Sequence, residues 1–154
     1  MNEQIINGEV AVTVPEGFKA LSEQEVRAWN PKAYGNNFVM RNEQDHLAII
    51  VSWKKTNFLN KNMPLSKVID TTKDNLKKAD PSFQTVENIT TSLAGKEAEG
   101  FRYTYSVQDT EQTGIYLLTK YNHTLYAFAY IARSNNFDEQ YHSFEEILNS
   151  AAFR

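Results

Sequence analysis

The chain has 154 residues, of which 41% are hydrophobic and 23% charged, with a net charge of −3 and no cysteine. This composition is ordinary for a globular protein, and no stretch approaches the ~18 consecutive apolar residues that a membrane-spanning helix needs. The lack of cysteine excludes disulfides, thiolate metal sites and cysteine nucleophiles. We therefore expect a single domain over residues 1–154, held together by packing and without a membrane span.

The first half of the chain alternates strand and turn patterns. Valines at every second position over residues 10–14 predict a strand, which Pro15-Glu16-Gly17 ends. A Ser-x-x-Glu capping box opens a short helix over residues 22–29. Two further strands are predicted over residues 38–41 and 46–54.

The second half is dominated by one long helix and a run of strands. Apolar residues recur at helical spacing over residues 65–79, between Pro64 and Asp80-Pro81. Four strands joined by short connections follow, over residues 83–92, 97–107, 113–120 and 124–133. An amphipathic pattern over residues 137–150 predicts the last helix.

The patterns of individual strands indicate how the elements pack. The strands over residues 46–54 and 124–133 are apolar on both faces, so both faces must be covered. Short turns such as Tyr121-Asn122-His123 allow only antiparallel neighbours. The sequence therefore predicts an α+β fold, an α/β/α sandwich whose central antiparallel sheet of about six to seven strands is covered by helices on both faces.

One strand carries an aromatic stripe. Phe101, Tyr103, Tyr105 and Val107 share a face of the strand over residues 97–107. We interpret the stripe as core beneath a helix. The alternative, a concave binding face, stays open.

Three segments together resemble a known family. They are the opening Val14-Pro15-Glu16-Gly17-Phe18, the turn from Ala94 through Gly95-Lys96 to Gly100-Phe101, and the Phe-rich pattern over residues 137–144. In this order they resemble the PsbP-like domain (the PsbP/Mog fold), most closely in the style of bacterial PsbP-like domains of unknown function. The resemblance covers nearly the whole chain. It implies binding work rather than catalysis, and some bacterial domains of this kind act as chaperones for type VI secretion effectors.

No residue cluster has the spacing of a catalytic, metal or cofactor site. His46, His123 and His142 lie far apart, and none shares a helix or strand face with a second metal-ligating histidine. We therefore predict no enzyme activity, no metal and no cofactor. The alternative is a hydrolase whose site the sequence does not reveal.

The charged residues are distributed unevenly. Residues 54–78 hold seven lysines against two aspartates, so this segment carries +5 while the rest of the chain is acidic. A solvated face explains such lysines, and an acidic partner would also fit them. Nucleic acid is not expected, since the overall balance is acidic and the lysines are not interleaved with stacking aromatics.

Two loops are candidates for contact with a partner, because apolar residues in a polar loop either pin it to the core or await a partner. The first loop offers Lys54, Lys55, Phe58, Leu59 and Met63. The second offers Trp29 and Tyr34.

The leading hypothesis is a non-enzymatic protein-interaction module, either a chaperone or an assembly factor, whose partner is another protein. The alternative is an extracytoplasmic, lipoprotein-type domain that binds a small apolar ligand. The start of the sequence lacks a secretory signal, which predicts a cytoplasmic protein, or an extracytoplasmic one if a leader has been removed. A homodimer is left open.

Overall fold

Ten strands and three α-helices account for the regular structure of residues 3–29, 36–57 and 62–154, the parts of the chain that the computed structural model describes. The strands are β1 Glu3–Ile6, β2 Val10–Thr13, β3 Lys19–Ala20, β4 Asn37–Asn42, β5 Leu47–Lys55, β6 Gln84–Leu93, β7 Lys96–Val107, β8 Thr110–Tyr121, β9 Thr124–Arg133 and β10 Ala152–Phe153. The helices are α1 Glu23–Trp29, α2 Leu65–Ala79 and α3 Tyr141–Ser150, and a 3-10 helix covers Ser134–Asn136. No helix within the described residues is long and apolar enough to cross a membrane.

The large sheet contains seven antiparallel strands in the order β3-β4-β5-β9-β8-β7-β6. Its last four strands form a meander because two-residue turns join them. Both residues of each turn have positive φ, as in Asn122 (50°) and His123 (59°). Such turns match the right-handed twist of the flanking strands. The predicted α+β architecture and the size of the sheet are confirmed.

One face of this sheet, which we call the closed face, is covered by α3 and by a second sheet. That second sheet has the order β1-β2-β10, so the valine-rich β2 lies outside the central sheet, and the sequence did not predict its partners β1 and β10. This position is favourable for β2 because Val10 and Val12 are both buried in the core of the closed face. Tyr130 of β9 lies in the core of the closed face, where its ring stacks on Phe144 of α3 with 5.6 Å between the ring centroids.

Helix α3 begins later than predicted. The predicted start was residue 137, whereas the helix starts at Tyr141, because Gln140 has φ −114° and ψ 11° and breaks the helical path. Phe137 nevertheless packs on Tyr130, with ring centroids 5.1 Å apart, and its carbonyl accepts a 2.9 Å hydrogen bond from the Tyr130 hydroxyl. A turn thus delivers Phe137 to the same core, which explains why its spacing imitates a helix.

The opposite face, which we call the α2 face, carries α2 over β7 and β8. Ile69 of α2 packs there against Phe101, Tyr103 and Leu118. The aromatic stripe is therefore core beneath a helix, as predicted, except that Val107 at its end is 47% exposed. Seven strands make a sheet about 29 Å wide, whereas one helix is about 10 Å across. Helix α2 therefore covers only part of this face.

The capping box at α1 forms as predicted. The Ser22 backbone N–H donates to Glu25 Oε1 at 3.0 Å, and the Glu25 N–H donates to Ser22 Oγ at 3.2 Å. A hydrogen bond from Lys19 and the bonds to Ser22 lower the pKa of Glu25 to about 2. This cap fixes the start of a helix that ends on Trp29.

Candidate functional site

A cleft opens on the α2 face beside α2, above β5 and β9, with a volume of about 350 Å³. Its lining comes from three strands, from α2 and from the residue that precedes α2 by two positions. The lining residues are Ser52, Trp53, Lys54, Met63, Val68, Thr71, Thr72, Asn75, Tyr116, Leu118, Leu125 and Ala127. We call this cleft the α2 groove.

The floor of the α2 groove is apolar. Leu118 of β8 and Leu125 and Ala127 of β9 lie on the α2 face and are at most 8% exposed. Val68, which is half-buried, forms part of the wall on the helix side. The side of the cleft formed by the sheet is therefore an apolar surface.

The polar groups of the groove lie on its walls and at its mouth. Thr72 Oγ1 donates to the Val68 carbonyl at 2.8 Å. Burial raises the pKa of Tyr116, and a side-chain hydrogen bond with Thr72 partly offsets this. Tyr116 is therefore a neutral hydroxyl at physiological pH, suited to hydrogen bonding rather than to proton transfer.

The structure brings together two of the predicted partner-binding residues. Lys54 and Met63 both line the α2 groove, and the Met63 carbonyl accepts a 3.4 Å hydrogen bond from Lys120 Nζ. Lys54 is exposed and Met63 half-buried. Phe58, Leu59 and Tyr34 lie outside the described residues.

The other two predicted residues are placed elsewhere. Lys55 follows Lys54 on the strand and therefore projects from the opposite face, where it borders a polar pocket with Glu9 and His123. Trp29 lines a third pocket, on the α2 face beyond the groove. Their assignment as partner-binding residues stays a prediction.

The polar pocket beside Lys55 is held together by a hydrogen-bond network. The Tyr126 hydroxyl donates to Glu9 Oε1 at 2.6 Å, and Asn122 Nδ2 donates to Glu9 Oε2 at 2.7 Å. These bonds, with a smaller contribution from Lys55, lower the pKa of Glu9. The network joins the β1–β2 turn to the β8–β9 turn and fixes the edge of the closed face.

The lysine-rich segment does not form one continuous surface. Lys73 of α2 bonds to Asn88 and lies over the Phe101 ring, and Lys77 donates to the carbonyls of Pro81 and Phe83 at 2.9 and 3.0 Å. These two lysines belong to the side of α2 that faces β6 and β7. Lys54 is the lysine of this segment that lines the groove among the described residues.

The described residues contain no assembled metal site. No group of three or more histidine, aspartate or glutamate side chains there could hold a metal ion. His46 and His123 border separate pockets, and His142 is exposed on α3.

Sequence reasoning missed the floor of the groove, although a signal for it was present. Leu125, Ala127, Ala129 and Ile131 had been recognised as one apolar face of β9. A count of strands against helices would have shown that one long helix cannot cover that face of a seven-stranded sheet. The groove lies over the part of the α2 face that α2 does not cover.

Comparison with known proteins places the chain in a family. A family model described as DcrB matches residues 9–150, which is most of the sequence. The chain belongs to the DcrB family. A search of curated protein sequences gave no match.

Solved structures share the fold of this DcrB-family chain at low sequence identity. LpqN of Mycobacterium tuberculosis, described as involved in cell envelope biogenesis, is 17% identical over 94% of this chain and 82% of its own, with a TM-score of 0.68. The cyanobacterial PsbP protein CyanoP from Synechocystis sp. PCC 6803 is 13% identical over 94% and 86%, with a TM-score of 0.66. PA94 of Pseudomonas aeruginosa, a protein of unknown function, is 9% identical over 95% and 92%, with a TM-score of 0.58. The PsbP-like fold indicated by the sequence is confirmed.

Proposed function

We propose that this DcrB-family chain is a non-enzymatic protein-interaction module, a chaperone or assembly factor, that holds an apolar segment of its partner on the α2 face. The observation that carries the proposal is an apolar strip along β5 and β9 that α2 leaves partly uncovered.

The strip follows from the register of two strands. On the α2 face, β5 and β9 pair residue by residue as Ala48 with Ile131, Ile50 with Ala129, Ser52 with Ala127 and Lys54 with Leu125. Six residue steps of a strand span about 20 Å. This is the length of a helix of about 13 residues, so the strip suits one apolar helical segment rather than a single side chain.

The charge at the groove end of the strip narrows the choice of partner. Lys54 is exposed at the mouth, and the described residues that line the groove include no aspartate or glutamate. An apolar segment followed by an acidic residue would therefore be favoured over one followed by a lysine. The expected partner is a protein with an apolar helix flanked by acidic residues.

LpqN is described as involved in cell envelope biogenesis, and CyanoP is a PsbP protein. One fold can serve unrelated functions, so the proposal takes its support from the α2 groove and the charge at its mouth.

A pair of threonine variants tests the proposal. Thr71→Asp places a carboxylate among the lining residues of the α2 groove, where it opposes both an apolar segment and an acidic flank. Thr91→Asp is the matched control, because Thr91 is an equally exposed threonine on the edge strand β6 and lies outside the groove lining. Circular dichroism and thermal unfolding should first establish that both variants fold.

Binding is then measured with two synthetic peptides, each a 13-residue Leu/Ala helix, flanked by glutamates in one and by lysines in the other. We expect the intact protein and Thr91→Asp to bind the glutamate-flanked peptide several-fold more tightly than the lysine-flanked one. Thr71→Asp should lose about tenfold in affinity, which corresponds to about 1.4 kcal/mol. Equal binding by all three proteins, or no binding of either peptide, would contradict the proposal.

The identity of the natural partner follows from an affinity pull-down out of lysate of the native organism with the same three proteins. A protein recovered by the intact form and by Thr91→Asp, and lost with Thr71→Asp, is the expected result. A protein lost only with a Phe58→Ser, Leu59→Ser variant would place the contact in the loop named from the sequence.

A second candidate function is favoured by the size of the groove. A volume of about 350 Å³ lies at the lower end of the range for small-molecule sites. In that case the chain would be an extracytoplasmic domain carrying a small apolar ligand. Native mass spectrometry of protein purified from its own organism distinguishes the two, because a retained small molecule of constant mass supports this second function and an unliganded protein opposes it.

A further inference from the structure

A second pocket on the α2 face, at the far end of the strip from the groove, has a chemistry of its own. Its volume is about 410 Å³, and its lining residues are Trp29, Arg41, His46, Leu47, Ala48, Ile50, Tyr105, Val107, Gln112, Ile131 and Arg133. It contains two arginines and a histidine, and no aspartate or glutamate is among these residues. We call it the Arg41 pocket.

Register explains why these residues meet. Arg41 of β4 pairs with Ala48 of β5, and Ala48 pairs with Ile131 of β9, so all three project from the α2 face. Arg133 lies two residues after Ile131 and pairs with Gln112 of β8. Four neighbouring strands thus carry two guanidinium groups to one end of an apolar strip.

Arg41 has an unsatisfied hydrogen-bond donor. Its Nε is buried and finds no hydrogen-bond acceptor. None of the three ion pairs between described residues involves Arg41 or Arg133. A buried donor left without a partner lowers stability, and does so more strongly when the group is charged, so such a group calls for an explanation.

The aromatic neighbour compensates for only part of this cost. The Arg41 guanidinium carbon lies 5.3 Å from the centroid of the Trp29 ring. A cation–π contact of this kind is attractive, but it satisfies the face of the guanidinium and not its N–H groups. The terminal N–H groups of Arg41, which are not among the buried unpartnered atoms, are the donors that an oxyanion in the pocket would meet.

We propose that the Arg41 pocket binds a small organic oxyanion, a carboxylate or a phosphate monoester, whose charged group meets Arg41 and Arg133 and whose apolar part lies on Ile50 and Ile131. Arg41, which is half-buried, supplies its terminal N–H donors, and Arg133, which is exposed, adds attraction at the entrance. Trp29 packs on Arg41, so the fluorescence of Trp29 should change when the ligand binds. The pocket shares Ile50 and Ile131 with the strip of the proposed protein-binding function, but the charged group meets Arg41 and Arg133, which lie beyond that strip. The arginine variants therefore test this inference separately from the protein-binding function.

The test uses four probes that separate charge from apolar contact: octanoate, phenyl phosphate, inorganic phosphate and the neutral octanol. Binding is measured by isothermal titration calorimetry, and by tryptophan fluorescence in a Trp53→Phe background where Trp29 is the one remaining tryptophan. We expect octanoate or phenyl phosphate to bind at least tenfold more tightly than inorganic phosphate and octanol. Preference for octanoate identifies a carboxylate ligand, and preference for phenyl phosphate identifies a phosphate monoester.

Two arginine variants assign the binding to this pocket. Arg41→Gln should weaken binding of the preferred probe by about tenfold or more, because a hydrogen bond to a charged group contributes about 1.5–3 kcal/mol. Arg27→Gln is the matched control, since it removes the same charge from an exposed arginine of α1 that pairs with Glu23, and it should change affinity less than twofold. If Arg41→Gln fails to fold, Arg133→Gln replaces it with an expected loss of several-fold.

The proposal fails on any of three results: octanol binding as tightly as octanoate, none of the anions binding, or the arginine variant and its control losing affinity equally. Rising salt should weaken binding of the anions and leave that of octanol unchanged.

Discussion

The two faces of the large sheet are built from the same strands but are covered to different extents. On the closed face, α3 and a three-stranded sheet bury a continuous core around Tyr130, Phe128 and Phe144, each of which is fully buried. On the α2 face, one helix covers β7 and β8, and half-buried residues such as Ile50 and Ala129 remain along β5 and β9. The difference indicates that more of the buried core lies on the closed face, and that β5 and β9 are less completely covered on the α2 face by the described residues.

The two faces differ in burial because different elements pack on them. The closed face receives α3, β1, β2 and β10, whereas the described part of the α2 face receives α2 and the short α1. Both faces are apolar in sequence, so the alternation of residues along the strands cannot distinguish them. The position of the helices decides which face stays open.

The largest expected effect comes from one pair of matched isoleucines. Ile147 of α3 is fully buried on the closed face, and Ile69 of α2 is 5% exposed on the α2 face. We expect Ile147→Ala to lower the free energy of unfolding by about 4 kcal/mol and Ile69→Ala by about 2 kcal/mol, since the cost rises with the cavity that cannot collapse. Urea unfolding followed by circular dichroism measures both. Equal losses would mean that the two faces contribute equally to the free energy of unfolding, which would contradict the expected difference.

A pair of glycines sharpens the comparison within the sheet. A Cβ at Gly100, which pairs with Leu117 of the closed face, would lie 1.8 Å from the Tyr116 carbonyl oxygen, a backbone atom that cannot move without distorting β8. A Cβ at Gly114 would lie 2.3 Å from the Tyr103 ring on the α2 face. We expect Gly100→Ala to lower the free energy of unfolding by about 3 kcal/mol and Gly114→Ala to lower it by about 1 kcal/mol. The loss is smaller at Gly114 because the Tyr103 ring can shift, whereas the Tyr116 backbone cannot. Thermal unfolding checks the order, and a larger loss for Gly114→Ala would contradict it.

The cap of α1 contributes less. Ser22→Ala removes the acceptor for the Glu25 N–H, so we expect a loss of about 1 kcal/mol. Because α1 carries Trp29, the same variant should also shift the Trp29 emission in a Trp53→Phe background. Ser22→Thr keeps the acceptor and serves as the control. A change in emission without a loss of stability would show that the cap orients Trp29 rather than stabilising the fold.

The smallest effect is a pH dependence at the edge of the closed face. Hydrogen bonds from Tyr126 and Asn122 lower the pKa of Glu9 below its ordinary 4.5. The stabilisation from Glu9 is therefore complete above pH 4.5 and is lost as the pH falls through its lowered pKa. We expect Glu9→Gln to flatten the decline of Tm between pH 5 and 3, whereas Glu146→Gln on the exposed side of α3 should leave the decline unchanged. Identical profiles for the two variants would argue against a role for this network.

Local patterns in the sequence were sufficient to predict much of the fold. The bounds of α2 and β9 were predicted as observed, at residues 65–79 and 124–133, because long periodic patterns leave little ambiguity. The capping box at Ser22 was also recognised, since its two hydrogen bonds depend on residues three positions apart.

Contacts between distant residues could not be predicted in the same way. The pairing of β10 with β2 joins segments whose local sequences carry no sign of each other, and β10 is only two residues long. The candidate site was predicted only in part, since Lys54 and Met63 line the groove while its floor comes from Leu118 and Leu125 on two other strands. A site made by the incomplete cover of a sheet becomes visible only when the layers are assembled.

The pairing of β10 with β2 has a consequence for the order of folding. Phe153 stacks on Tyr121 with 4.4 Å between ring centroids, and Arg154 donates to Glu3 at 3.3 Å across 151 positions of sequence. Closing so long a loop costs entropy that local turns do not, so the β6–β9 meander can form early while this contact must come late. We therefore expect the contacts of β10 to form after the local turns of the β6–β9 meander during refolding, so that β10 completes the closed core.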